Sequence, residues 1–273
     1  MKQSNEEHSA RRGPGRWLRP ALTLAAALAL WEIAAVLKLA PPFLLPTPLS
    51  VLETWISLVT GEAVGMAPLL SDIWISLQRQ LIGFGLAVLI AVPAGFFLGA
   101  FPKATESLLS PFRFLYPVPT IAWVPLTLIW FGPGWRSILF ITFLSAFWPA
   151  FFNTYEGVRN LSRLHVRVAR IFGATPLVYF FKVAIPGSLP FTITGLRLSY
   201  GASWRMLVAA EILLATSGLG YVIDQSRSML RTDQVMAGIA TIGCIGYLTE
   251  RFVFDTLERV TIARWGIRRA ERR

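Results

Sequence analysis

Apolar residues in this chain come in long runs, and the polar positions between them are ordered. Six runs reach or approach the roughly 20 residues needed to cross a bilayer: about 18–40, 75–101, 116–132, 137–155, 193–215 and 234–257. Two shorter stretches carry a helical stripe instead. Leu52, Trp55, Ile56 and Val59 recur at helical spacing, as do Leu219, Val222, Ile223, Ser226, Met229 and Leu230. Asp224, Gln225, Arg227 and Arg231 fall on the opposite face of the second. Both read as helices lying at a membrane interface. The pattern therefore predicts an all-α, polytopic membrane bundle of six spans.

Each connection adds something. Pro46-Thr47-Pro48 and Gly132-Pro133-Gly134 are turns. Gly95-x-x-x-Gly99 lets a second helix come close. Pro117, Pro119 and Pro125 each remove a backbone donor from the third run. Such backbone is tolerated at membrane depth only when it is buried in protein or lines a watery cavity, so this run is expected to face the bundle interior. The first run exceeds the roughly 7–15 apolar residues of a cleaved leader and reads as a span.

Composition narrows the class. The 273 residues are 54% hydrophobic and only 15% charged. The net charge of +11 raises nucleic-acid binding, but its distribution argues against it. Lys2, Arg11, Arg12 and Arg16 precede the first run and Arg19 stands at its start, and Arg264, Arg268, Arg269, Arg272 and Arg273 follow the last. Residues 41–74 hold no Lys or Arg, only Glu53, Glu62 and Asp72. That asymmetry puts both termini, and the basic 157–192 segment, in the cytoplasm. The expected organisation is a basic tail at 1–17, a membrane domain at 18–260 and a second tail at 261–273. Lys38, Arg79, Arg136, Arg227 and Arg231 fall at the outer side and run against the bias. A single cysteine, Cys244, builds neither a disulfide nor a metal site.

The segment 157–192 has the marks of a docking element. Residues 161–172 read as a helix, and Gly173 as its left-handed stop. Thr175 is an N-cap and Pro176 a first helical residue; Pro186 and Pro190 are expected to end the second helix. A helix, a glycine elbow and a helix set on rigid spans can receive a push from a partner. The plainer alternative is a structured connection.

Here the chain resembles the permeases of ABC importers. Ala169, Gly173, Ile185, Pro186 and Pro190 match their cytoplasmic coupling motif in order and spacing. Leu45-Pro-Thr-Pro48, Pro117-Val-Pro-Thr-Ile-Ala-Trp-Val-Pro125, Ile129-Trp-Phe-Gly132, Gly195-Leu-Arg197, Ala209-Ala-Glu211 and Gly218-Leu-Gly-Tyr-Val222 resemble the nitrate/sulfonate/taurine branch, and the taurine and alkanesulfonate permeases most. The resemblance spans about residues 45–265. It implies a type I importer bundle in a bacterial inner membrane, moving a small anion inward. Its implied partners are a second, identical permease chain, two ATPase subunits carrying ATP and Mg, and a periplasmic or lipid-anchored binding protein.

It also implies roles. ATPase coupling would fall to Arg163, Arg167, Ala169, Arg170, Gly173, Ala174, Thr175, Pro176, Lys182 and Pro186. Arg167 stands where the motif carries Glu. The acidic outer face of Glu53, Glu62 and Asp72 would receive the binding protein. Pathway candidates are Pro119, Trp123, Arg205 and Glu211.

A charge at mid-membrane costs about 2.5–3.5 kcal/mol and normally faces a partner or cavity. Arg205 therefore either faces the pathway and attracts an anion or pairs with Glu32 or Glu250. Glu32, Arg205 and Glu211 would equally suit an ion-coupled secondary transporter, the rival reading. The sequence has no G-x-x-x-x-G-K-[ST] loop, so nucleotide chemistry is expected on another chain. It has no H-E-x-x-H, and His8 and His165 are its only histidines; no catalytic or metal site is expected on this chain.

Overall fold

The computed structural model describes residues 15–41, 43–62, 68–161, 167 and 171–261. No strand occurs among them. The helices are α1 (Gly15–Val36), α2 (Pro48–Thr60), α3 (Leu69–Ala100), α4 (Pro102–Leu115), α5 (Val124–Phe131), α6 (Trp135–Arg159), α7 (Pro176–Leu214), α8 (Leu219–Ser228) and α9 (Thr232–Thr261). A 3-10 turn, Thr120–Trp123, precedes α5.

Three of these helices, α3, α6 and α7, are long and apolar enough to cross a membrane. A fourth span results if α4 and the segment Thr120–Phe131 count together, although they meet at 86°. The residues Leu22–Val36 of α1 are apolar but shorter.

α3, α6 and α7 form the centre, and small residues set their spacing. A Cβ on Gly95 would lie 2.8 Å from the Phe151 carbonyl oxygen, and one on Gly99 2.7 Å from Val158 Cβ. The glycine pair thus packs α3 directly onto α6. On the other side of α6, a Cβ on Gly195 of α7 would lie 2.4 Å from Asn153 Cβ. Ser199 Oγ donates to the Ala146 carbonyl, sealing the same contact. Gly95→Val is expected to cost about 1–3 kcal/mol by overpacking, read as a fall in the thermal midpoint of detergent-purified protein.

Four elements depart from the sequence pattern. The bent third element does not face the interior of this chain. Val124 and Thr127 are buried, but Ile129 is 79% exposed and Trp130 53%. With eight residues, α5 covers α6 through one side only, and its remaining apolar side chains face away. Helix α2 is oriented differently from its apparent stripe. Val51 and Leu58 are buried, while Leu52, Trp55 and Ile56 are exposed. The orientation follows from tethers to α9: Thr54 donates to Asp233 at 2.8 Å and Trp55 to Thr241 at 2.9 Å. In α8, Leu219, Val222 and Ser226 pack inward, but Met229 and Leu230 lie past its end and are exposed. Finally, Pro186 and Pro190 do not stop the second elbow helix. Pro186 sits in the first turn after a π-helical segment, Phe180–Ala184, where its missing N–H is least disruptive. The helix then continues through Pro190 to Leu214.

Candidate functional site: coupling elbow and polar latch

The elbow lies at one end of the bundle. Gly173 has φ +69°, the left-handed value the sequence requires there. Thr175 caps the next turn, its hydroxyl accepting from the Val178 N–H at 3.4 Å, with Pro176 as first helical residue. Phe96, Val158 and Ala184 form a small core under the elbow, joined by Tyr179, Phe180 and Ile185. A cavity of about 450 Å³ separates the elbow from the ends of α3, α4 and α6, lined by Gly99, Thr105, Arg159, Ala174 and Tyr179 among others. Arg159 is held there by a 3.0 Å bond to the Tyr155 hydroxyl.

Of the predicted coupling residues, Arg167, Gly173, Thr175, Pro176 and Lys182 are exposed, and Ala174 and Pro186 are half-buried. Arg163, Ala169 and Arg170 lie outside the described residues, as does most of the predicted helix 161–172. Sequence reasoning missed the apolar side chains that protrude beside them. Ile171 and Phe172 are 82% and 84% exposed, and Leu177 and Phe181 are also exposed. Adjacent apolar residues on either side of a glycine stop were the available signal.

A second cluster lies some twenty residues up α3, about 30 Å away along its axis. Arg79 Nη1 donates to Glu211 Oε1 at 2.7 Å and to the Ser217 carbonyl at 2.7 Å. Ser76 Oγ lies 2.8 and 2.9 Å from the two Glu211 oxygens and accepts from the Leu219 N–H. Glu211 also accepts from the Gly220 N–H at 3.0 Å, and Asp72 from the Gly218 N–H at 2.6 Å. The guanidinium lies over the Trp135 ring, 5.3 Å from its centroid. Two carboxylates and one arginine thus fasten the 215–218 turn and the start of α8 onto α3. The network satisfies the first N–H groups of α8, which no helix can satisfy internally.

This latch corrects two assignments. Glu211, expected along the pathway, is fully buried and bonded on both oxygens. Asp72, expected on a docking face, is 5% exposed and spent on Gly218. Arg79, which ran against the charge bias, is their counter-ion. Glu53 and Glu62 are exposed as expected. Pro119 is exposed, and Trp123 is half-buried between the two larger apolar cores. Arg205 is exposed and, among the described residues, pairs with neither Glu32 nor Glu250. No cluster of metal-ligating side chains occurs among the described residues.

Residues 91–265 match the family described as binding-protein-dependent transport system inner membrane component. The taurine transport system permease protein TauC of Escherichia coli is 37% identical over 84% of this chain and 83% of its own length. The putative aliphatic sulfonates transport permease protein SsuC of Bacillus subtilis is 34% identical over 93% and 91%. The nitrate import permease protein NrtB of Synechocystis is 29% identical over 86% of each. A chain of the MetNI methionine ABC transporter, in inward-facing form, superposes with TM-score 0.62 at 17% identity, covering 71% of this chain and 95% of that one. That likeness carries the fold. The chain belongs to the binding-protein-dependent inner membrane component family and is a multi-pass permease of an ABC importer.

Proposed function

We propose that two copies of this chain form the pathway of an importer for a small organosulfonate such as taurine, or a related anion such as nitrate. Helices α1 and α9 complete six spans, with both termini and the elbow in the cytoplasm of a bacterial inner membrane. Two separate ATPase subunits, which carry ATP and Mg, seat on segment 157–192. An extracytoplasmic binding protein delivers the solute to the face bearing Glu53 and Glu62. ATP-driven closure of the ATPases pushes the elbow, and α7 passes that movement through the membrane. Pro119 and Trp123 border the pathway.

The observation that carries this reading is the elbow. Four large apolar side chains project from a short, capped, glycine-hinged segment at the end of a long helix. A connection that met only water would leave them exposed at a cost; a groove on a partner buries them. The substrate class is supported by the printed functions of the sulfonate, taurine and nitrate relatives.

The test is purification of tagged chain from native membranes, with mass spectrometry of its companions and reconstitution into vesicles. A co-purifying ATPase with a phosphate-binding loop, and taurine or nitrate uptake that requires ATP, is the expected result. Uptake by the chain alone, driven by an ion gradient, would transfer the case to a secondary transporter.

A further inference from the structure

Arg205 is a charge inside an apolar span that no ion pair among the described residues uses. It lies on α7, nine residues before Leu214, so about 13 Å from that end of the helix at 1.5 Å per residue. From Pro186 it is nineteen residues, or about 28 Å. Neither end of the helix is within reach of the side chain. Its neighbours Ser203, Trp204 and Leu207 are buried among the other helices, whereas Arg205 is exposed and has no ion-pair partner among the described residues. The residues one turn away on its own face are Gly201, Ala202, Val208 and Ala209. Gly201 leaves the guanidinium room to lie along the helix: a Cβ there would sit 3.4 Å from Nη1. The guanidinium thus opens onto a surface of glycine and short apolar side chains within an apolar span. A charge so placed needs water or a counter-ion beside it.

We propose that Arg205 is the anion-selecting residue of the pathway, and that the two copies together present a pair of guanidinium groups to one oxyanion, a sulfonate or a nitrate. This rests on the importer reading above. In a two-fold assembly whose pathway follows the axis, a residue on the pathway wall meets its own copy. Two arginines facing one another repel when the site is empty and are reconciled by a single anion between them. The planar fork of each matches the oxygens of such a group. The site would therefore favour anions over neutral or cationic solutes of the same size, independently of the binding protein's choice.

The experiment uses the complete complex in vesicles. Arg205→Cys in a Cys244→Ala background is exposed to a water-borne anionic methanethiosulfonate and, separately, to a lipid-soluble maleimide. In parallel, Arg205→Gln and Arg205→Lys are assayed for taurine and nitrate uptake and for ATPase retention. Reaction with the water-borne reagent is expected. Arg205→Gln should lower anion uptake about tenfold or more, the equivalent of one lost charge-assisted contact, with the ATPase still bound; Arg205→Lys should keep part of it. Labelling by the maleimide alone would place Arg205 in lipid and overturn the proposal. Uptake by Arg205→Gln equal to that of the parent would do the same. If Arg205→Gln does not insert, the cysteine labelling and the Lys variant decide. If the parent moves neither taurine nor nitrate yet the cysteine reacts from water, Arg205 keeps its place on the pathway and the substrate assignment falls.

Discussion

Arg79→Ala should leave little folded protein in the membrane. The substitution strands Glu211, which is fully buried and whose only cationic neighbour among the described residues is Arg79. Removing one member of a buried pair typically costs about 3–5 kcal/mol, because the remaining charge has no water to return to. The loss extends further here, since the same guanidinium also holds the Ser217 carbonyl and hydroxyl. Arg79→Lys should recover only part of the stability, as an ammonium cannot reproduce the fork that reaches Glu211 and Ser217 together. The informative control is the double replacement Arg79→Met with Glu211→Leu. Buried pairs exchanged together for apolar residues are often neutral, so the double variant should melt closer to the parent than Arg79→Ala does. Thermal midpoints in detergent measure all three. A single variant as stable as the parent would show that the latch contributes nothing to the fold.

Gly173→Val should uncouple transport without unfolding the bundle. Among the described residues nothing lies within 4 Å of a Cβ at Gly173, so the effect is conformational and not steric. At φ +69° an L-residue is disfavoured by about 1–2 kcal/mol, and a branched one more so. The elbow would re-route, displacing the exposed Ile171 and Phe172 relative to Leu177 and Phe181. Uptake should fall at least about tenfold, a coupling loss of roughly 1.4 kcal/mol or more, while membrane insertion is preserved. Gly173→Asn is the control, because Asn enters the left-handed region with little penalty, and it should retain most of the uptake. Full activity in Gly173→Val would mean that the elbow does not transmit the ATPase movement.

The three central spans were legible in the sequence because hydrocarbon length and glycine spacing are local properties. The turn at Gly173 and the cap at Thr175 were legible for the same reason. The latch was not. Arg79 and Glu211 are separated by 132 positions, and no period or motif links them. The trace that existed was a basic residue on the side that should lack one. Asp72 misled in the opposite direction. An acidic residue in an outer loop reads as surface, and only the folded chain shows the Gly218 N–H above it. The face of α2 was likewise decided by α9 and not by its own stripe. Pro186 and Pro190 read as stops because proline breaks α-helices in general. The π-helical turn that carries the chain past Pro186 has no sequence signature of its own.

The unbroken run from Pro176 to Leu214 joins the elbow to the latch on one element. At about 1.5 Å per residue that rod is some 58 Å long. A lever of this length amplifies angle into distance: a tilt of about 5° displaces one end relative to the other by roughly 5 Å, one helical turn. Because Glu211 pins the far end to α3, the rod has a fulcrum near its tip, and the elbow lies at the end of the long arm. A modest closing stroke at the elbow would then appear as a swing of the long arm that fades toward the fulcrum: Arg205, six residues or about 9 Å from Glu211, would move by only about 1 Å while the Leu214 tip stays anchored.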